Sequence, residues 1–586
     1  MTRILIRTSL AALLALAATI STTSAQRPAN APATAPAGKP PDSVFIEDLT
    51  WAEVRDLVKA GTTTVIIGTA GTEQKGPHMV DGEHKFVMTW SADKIARAIG
   101  KTLVAPVVTY VPEGSWENIG GHMAKPGTIT LPDDRFTELL VQAGRSLKAG
   151  GFKTILFIGE SGGNRNGMRD AAAKLTDMWK ADGTARAFWI DDYYTKSHAE
   201  QNVYVTQHVG IPADQIGGHA NILDTSELLF VNPKHIRRNR LVGNDYENNG
   251  VSGNNQGKST PEIGKALLQI KIDNALAQIK ALMAGTSTRQ QSEAPGETAG
   301  GRGGRGGRGG AQSAPNAERR TVAATMLTAP PSKTPTAAPD TVFIDELTWE
   351  ETRDAMKAGK TTVIVPTGGT EKNGYHMVIG KHNYIVAYAA NLMARRLKNA
   401  LVAPVLQYVP EGDPDRQNAG AISVPSPAYD QILDAAARSL KTHGFTDILF
   451  IGDSGPNQAG MTNVANKLNE EWKDAGTKVF ALTSYYEEGR EHYRAWLEAA
   501  FGYDETTVGS HAGISDTSQL LFVRPSGVRK DQIKPWGGPQ DSGVSGDPTK
   551  STVEIGKMGI EFKVNTAIGQ YKLLKNPPAR GRGRGI

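Results

Sequence analysis

Two loops in this chain repeat one carboxylate and two imidazoles at fixed spacing. The first is Gly71-Thr-Glu-Gln-Lys-Gly-Pro-His-Met-Val-Asp-Gly-Glu-His84, the second Gly369-Thr-Glu-Lys-Asn-Gly-Tyr-His-Met-Val-Ile-Gly-Lys-His382. Each places a Glu, then a His five residues on and a His eleven residues on: Glu73, His78 and His84, then Glu371, His376 and His382. Each follows an apolar run, Thr64-Val-Ile-Ile67 or Val363-Ile-Val365, that reads as a buried strand. One carboxylate and two imidazoles on a glycine-rich loop at a strand end suit a metal ion or a polar ligand. The competing reading is a polar loop whose histidines bond to backbone.

The elements around these loops repeat as well. Asp42-Ser-Val-Phe-Ile-Glu-Asp-Leu-Thr-Trp51 matches Asp340-Thr-Val-Phe-Ile-Asp-Glu-Leu-Thr-Trp349 at an offset of 298 residues, the same offset that relates Glu73 to Glu371. Thr50-Trp-Ala-Glu53 and Thr348-Trp-Glu-Glu351 have the capping-box pattern, so a helix starts in each copy. The match continues through Tyr110-Val-Pro-Glu-Gly114 and Tyr408-Val-Pro-Glu-Gly412. A helical pattern from Arg135 to Ala149 leads into Thr154-Ile-Leu-Phe-Ile158, a buried strand whose copy is Asp447-Ile-Leu-Phe-Ile451. A helix at about 166–182 and a strand at about 185–191 follow. Alternating strands and helices of this size predict an α/β fold with a mostly parallel sheet covered on both faces. Ligands of such sheets sit at the carboxyl ends of the strands, where the Glu/His loops fall.

Two further segments put polar residues at such ends. One is Gly159-Glu-Ser-Gly-Gly-Asn164, with its copy Gly452-Asp-Ser-Gly-Pro-Asn457. The other is Gly218-His-Ala-Asn-Ile-Leu-Asp-Thr-Ser226, with its copy Ser510-His-Ala-Gly-Ile-Ser-Asp-Thr-Ser518. Together, in this order, the three segments resemble the creatininase family of metal-dependent amidohydrolases, over residues 42–285 and again over 340–575. The resemblance implies two three-layer α/β/α domains and a two-metal site that opens C–N bonds. The family's loop reads E-x-H-G-x-H-x-x-x-x-x-D, and this chain departs from it. Glu73 and Glu371 match the first ligand. The loop His becomes Lys75 and Asn373, the bridging Asp becomes His84 and His382, and the His of the turn becomes Ser161 and Ser454. The later acid is kept as Asp224 and Asp516, on a shorter arm.

What the resemblance leaves is one metal on Glu73, His84 and Asp224, and another on Glu371, His382 and Asp516; three N/O ligands with an open position is a catalytic zinc-type pattern. Glu160 and Asp453 read as an extra ligand or a general base, or as groups that bond the turn. His78 or His219, and His376 or His511, are expected to stabilise developing charge. Gly121-His-Met-Ala-Lys-Pro-Gly-Thr128 resembles a substrate-proximal segment; set against Ala421-Ile-Ser-Val-Pro-Ser-Pro427, it makes the first copy the better candidate for activity. The expected cofactor is a divalent metal, Zn or Mn, one per competent domain.

The rest of the chain frames this reading. Without cysteine there is no disulfide framework, thiol nucleophile or thiolate-bound zinc. Net charge is +5, and much of the excess is Arg in glycine tracts, so nucleic acid is not favoured as a partner. Gly257-Lys-Ser-Thr260 lacks the earlier glycine of a phosphate-binding loop. Residues 1–25 read as a signal peptide: Arg3 and Arg7 precede an apolar run from Leu10 to Ala18 and then small residues up to Ala25. The expected protein is therefore exported, periplasmic or secreted, with no membrane contact after cleavage. Residues 26–40 read as an Ala/Pro tether, 41–285 as domain 1, 286–338 as a Gly/Arg-rich linker, 339–576 as domain 2 and 577–586 as an Arg/Gly tail. The functional expectation is hydrolysis of a C–N bond in a small amide or cyclic amide; the alternative is a binding or scaffold protein that kept the fold and lost the chemistry. Pairing of the two domains within the chain, and a homo-oligomer, are both compatible with the tandem copies.

Overall fold

The computed structural model describes residues 42–286, 339–534 and 543–577. The expected signal peptide and tether, and nearly all of the expected linker and tail, lie outside these residues. Both halves open through the anticipated capping box. In the first, the Thr50 hydroxyl accepts from the Glu53 N–H and the Glu53 carboxylate accepts from the Thr50 N–H, which starts α1 (Trp51–Lys59). The chain continues through β1 (Thr64–Thr69), α2 (Glu83–Ile99), β2 (Thr102–Val104), α3 (Asp133–Ala149), β3 (Thr154–Gly159), β4 (Arg186–Trp189), α4 (Ile222–Val231) and α5 (Pro261–Met283), with further helices between them. The second half repeats this order as α6 (Trp349–Lys357), β5 (Thr362–Thr367), α7 (Lys381–Leu397), β6 (Ala400–Val402), α8 (Ser426–Thr442), β7 (Asp447–Gly452), β8 (Lys478–Ala481), α9 (Ile514–Val523) and α10 (Val553–Lys575).

Each half holds one sheet of four parallel strands, in the orders β2-β1-β3-β4 and β6-β5-β7-β8. Thr64 lies opposite both Thr102 and Thr154, so the strands start level and their carboxyl ends share one edge. Val65, Ile66 and Ile67 are all fully buried although they point to alternate faces. A strand with apolar side chains on both faces must be covered on both, which requires three layers. Val65, Ile67, Ile155 and Phe157 pack with α1 and α3 on one side; Ile66, Leu156 and Ile158 pack with α2 and α5 on the other. No helix among the described residues is long and apolar enough to cross a membrane.

The inner apolar layer does not stop at the half: Val65 and Phe157 belong to the same core cluster as Val363 and Phe450. The polar contacts between halves come in reciprocal pairs. The Asp81 N–H donates to Leu347 O at 2.8 Å, and the Ile379 N–H to Leu49 O at 2.8 Å. Tyr110 OH donates to Pro404 O at 2.7 Å, and Tyr408 OH to Pro106 O at 2.5 Å. Arg237 grips Glu351 with two bonds of 2.7 and 2.9 Å, and Arg529 grips Glu53 with the same two lengths. Contacts in which residue i meets j and the copy of j meets the copy of i define a two-fold, self-complementary interface. The approach is close enough to need glycine: a Cβ on Gly82 would stand 2.5 Å from Asp345 O. The loops between β1 and α2, and between β5 and α7, are therefore each held by the opposite half.

One inter-half contact predicts a pH dependence. His443, at the end of α8, donates from Nε2 to Met123 O at 3.1 Å and is 2 % exposed. Burial pushes its ring down from the ordinary 6.5 to about 4. The neutral ring's contribution is therefore complete above pH 6.5 and is lost as the pH falls through about 4. Urea midpoints should drop over this window, and His443→Gln should remove about 2–3 kcal/mol of that drop while leaving some behind, because His78 and His376 are buried in the same way.

Candidate active site

The site of the first half assembles at the carboxyl edge of the sheet. The loop after β1 supplies Glu73 and Lys75, the first turn of α2 supplies Glu83 and His84, and the first turn of α4 supplies Asp224. His219 precedes α4, and His122 lies on the loop between β2 and α3. Asn221 starts α4 by accepting from the Leu223 and Asp224 N–H groups at 2.9 and 3.2 Å. Ala220 just before it sits at φ +49°, a left-handed conformation rare for a residue with a Cβ, and its N–H bonds Asp224 Oδ2 at 2.8 Å. Ala512 repeats both features, at φ +52° and 2.8 Å to Asp516.

Glu73 is 3 % exposed and is the hub. Its Oε1 lies 2.7 Å from His84 Nε2 and 3.1 Å from Lys75 Nζ; its Oε2 lies 3.2 Å from His122 Nδ1. Burial alone would raise its pKa, but His122, Lys75 and His84 outweigh burial and hold it well below the usual carboxylate range. His84 Nδ1 lies 3.0 Å from Glu83 Oε2, so the ring stands between two carboxylates. Burial and Lys75 oppose its charge, yet Glu83 and Glu73 prevail and push it up to about 10. It is an imidazolium. Lys75 Nζ also lies 3.3 Å from Glu83 Oε2 and 3.3 Å from Asp224 Oδ2. The anticipated ligands Glu73, His84 and Asp224 are thus brought together, but around an ammonium, and the imidazolium has no lone pair to offer a metal.

A different group fits a metal. Among the described residues, one group of three has ligand atoms all within 4.8 Å of one another: Glu73, His122 and His219. His219 Nε2 lies 2.7 Å from Gln74 O and 3.2 Å from Gln74 Nε2; in the tautomer that donates to the nearer carbonyl, Nδ1 is the acceptor, 3.9 Å from Glu73 Oε1. A backbone carbonyl on the far nitrogen is how ligating histidines are oriented. His122 Nδ1 is buried and makes no hydrogen bond. Burial pushes His219 down to about 3 and lowers His122 as well, so both rings are neutral. Tyr246 stands edge-on to both rings, with centroids 6.1 and 5.7 Å away. The other half reaches in here: Trp349 Nε1 donates to Asn249 O at 3.1 Å, three residues beyond Tyr246.

The remaining anticipated residues have structural partners. His78 Nε2 meets Thr225 Oγ1 at 3.0 Å, and His376 meets Thr517 Oγ1 at 2.8 Å, each tying the loop to a helix start. Glu160 bonds Tyr193 OH and Lys271 Nζ, and Lys271 also bonds Glu227 at 2.7 Å. Asp453 repeats this with Tyr485 at 2.9 Å and Lys563 at 2.8 Å, and adds His382 Nδ1 at 2.7 Å. In the second half Glu371 Oε1 takes His382 Nε2 at 2.7 Å and His511 Nε2 at 3.1 Å, while Asp516 takes Lys381 Nζ at 2.7 Å. His382 is pushed up to about 9: burial and Lys381 oppose its charge, and Glu371 and Asp453 outweigh them.

Sequence reasoning placed His122 near substrate but not among the ligands, and it misaligned the copies there. Thr72 bridges Ile129 and Thr370 bridges Ile422, so Gly127 corresponds to Gly420, which precedes the Ala421–Pro427 segment set against it. The offset drops from 298 at Glu113 and Glu411 to 293 at Ile129 and Ile422, so the second loop is five residues shorter and has no counterpart of His122. Glu113 was also missed. Burial, then the charge and hydrogen bond of Glu73, raise its carboxyl well above the usual range, and Ser161 Oγ donates to it at 3.3 Å.

A family model described as creatinine amidohydrolase matches residues 47–279 and 345–569, so the chain belongs to the creatininase family, as two tandem domains. The creatinine amidohydrolase of Pseudomonas putida is 24 % identical over 204 residues, covering 33 % of this chain and 75 % of that protein. The mycofactocin precursor peptide peptidase of Mycobacterium tuberculosis is 24 % identical over 232 residues, covering 35 % and 82 %. A solved creatininase in its Mn form is 21 % identical with a TM-score of 0.34, covering 41 % of this chain and 100 % of that one.

The Glu160 cluster yields a direct test. Lys271, Glu160 and Glu227 are at most 4 % exposed, so Lys271→Met strands two buried carboxylates. It should lower stability by about 3–5 kcal/mol in urea unfolding. Adding Glu160→Gln should recover part of the loss, and metal content should not change in either variant.

Proposed function

We propose that the first half is a metal-assisted hydrolase of a C–N bond in a small amide or cyclic amide, and that the second half lacks the chemistry and buttresses the first. The observation that carries this is the trio Glu73, His122 and His219, one carboxylate and two neutral imidazoles, which the described residues of the second half do not reproduce. Two of the relatives bear the names of an amidohydrolase and a peptidase, both of which act on C–N bonds. A divalent ion held by these three residues would polarise the carbonyl and lower the pKa of a water. The protein groups do the rest. Glu73 stays ionised beside Lys75 and His84, whose positive charges line the floor of the site. Glu113 is the protonated member of the carboxyl pair, and proton delivery to the leaving nitrogen falls to it, since two carboxyls pushed apart in pKa divide the acid and base roles. Glu160, committed to Lys271 and Tyr193, is a support. Export, read from residues 1–25, is part of the same proposal.

Elemental analysis of the full-length protein tests this. We expect about one Zn or Mn per chain, lost in Glu73→Gln and in His122→Ala and retained in Glu371→Gln. Hydrolysis of creatinine, followed by the ring-opened product, and of short linear amides, followed by amine release, should vanish with the metal. No metal after Zn and Mn supplementation, or loss of metal in Glu371→Gln alone, would overturn the reading.

A further inference from the structure

The two halves carry the same charge at the same place from different positions in the sequence. In the first half, Lys75 on the loop lies 3.1 Å from Glu73 Oε1 and 3.3 Å from Asp224 Oδ2. In the second, Lys381 at the start of α7 lies 3.5 Å from Glu371 Oε1 and 2.7 Å from Asp516 Oδ2. At the offset of 298, Lys75 corresponds to Asn373 and Lys381 to Glu83. The loop and the first turn of the helix have therefore exchanged roles, Lys and Glu in one half, Asn and Lys in the other. Both ammoniums are nearly inaccessible, at 2 and 1 % exposure.

A buried lysine is tolerated only where carboxylates compensate it, and a buried pair of carboxylates only where a cation compensates them. Losing the loop lysine without a replacement would leave Glu371 and Asp516 facing each other unbalanced. The helix position repairs this because its side chain reaches the same point from the other side. We propose that the space between the Glu and the Asp of each half is a built-in cation site, filled by Lys75 in the first and Lys381 in the second, and that the second half therefore takes no divalent metal. The other candidate ligand there agrees. His382 donates from both ring nitrogens, to Glu371 and Asp453 at 2.7 Å each, so it has no lone pair to give. This assignment concerns the second half and stands apart from hydrolysis in the first.

The test is a double-mutant cycle in the full-length chain: Asn373→Lys, Lys381→Glu, and both together, which writes the first half's arrangement into the second. Lys381→Glu alone should lower the thermal midpoint by about 6–12 °C, and Asn373→Lys alone should lower it by crowding two ammoniums. The double variant should recover most of the loss. If a single variant fails to fold, soluble double variant is the recovery. Losses that add in the double variant, or its failure to fold as well, would overturn the assignment. Metal content gives an independent reading: Asp516→Asn should leave it unchanged, and loss of one equivalent of Zn or Mn in that variant would overturn the assignment even if the first half proves to be a metal hydrolase.

Discussion

The structure turns on a carboxylate that is buried at the end of a parallel strand and must be paid for locally in positive charge. Glu73 is ionised at 3 % exposure, and this is tenable only because an ammonium and an imidazolium lie within about 3 Å of one oxygen. Everything nearby follows from that requirement. Glu83 stabilises the imidazolium from the other side, Asp224 takes the second side of the ammonium, and Glu113 gives up its charge because it is buried beside the charge of Glu73. The result is a block of three carboxylates and two cations with one negative charge in excess, and it leaves a residual face with two neutral histidines, His122 at 3.2 Å from Glu73 Oε2 and His219 at 3.9 Å from Oε1. The chemistry available to the site is what that residual face can hold.

The second constraint is that neither half closes its site alone. The loop that carries Glu73 is bonded at Asp81 to the opposite half, and the loop that carries His122 is bonded at Met123 to His443 of the opposite half. Trp349 reaches across to the segment that sets Tyr246 against the two histidines. An interface of this kind is self-complementary, as between subunits of a two-fold dimer, but here both partners lie on one chain. Tandem fusion lets the partners diverge, and they have. One half has the long loop with its histidine; the other is five residues shorter there and supplies helices and an indole to its neighbour.

What could be read in the sequence was what local pattern encodes. The apolar runs at Thr64 and Thr154, the capping boxes at Thr50 and Thr348, and the repeat itself led to paired parallel sheets, because strand period and cap chemistry act over a few residues. The Glu, the second His and the Asp were read as one metal site, and the structure gathers them around Lys75. Their purpose was obscured by Lys75, whose long side chain takes its meaning from Asp224, 149 residues away. Glu160 stayed open between a ligand, a base and a group that bonds the turn because its partner Lys271 stands 111 residues downstream. His122 was visible as a residue but not as a ligand, since only the cross-bridge from Thr72 to Ile129 fixes where its loop falls. One clue was available without coordinates: the exchange of Lys75/Glu83 for Asn373/Lys381 at a constant offset is a compensating pair, and compensating pairs signal contact.

That exchange also orders the history written in the two halves. Both copies keep Glu, His and Asp at matching positions, and both hold the His between two carboxylates, although the second of these is Glu83 in one half and Asp453 in the other. They differ in which backbone position delivers the ammonium. A cation whose sequence position is free while its location in space is not must be held by the electrostatics of the cluster rather than by a particular loop conformation. The same reasoning separates the two parts of the first half's site. The ammonium side is present in both copies and answers to stability, whereas on the histidine side His511 keeps the place of His219 and only the first half adds His122.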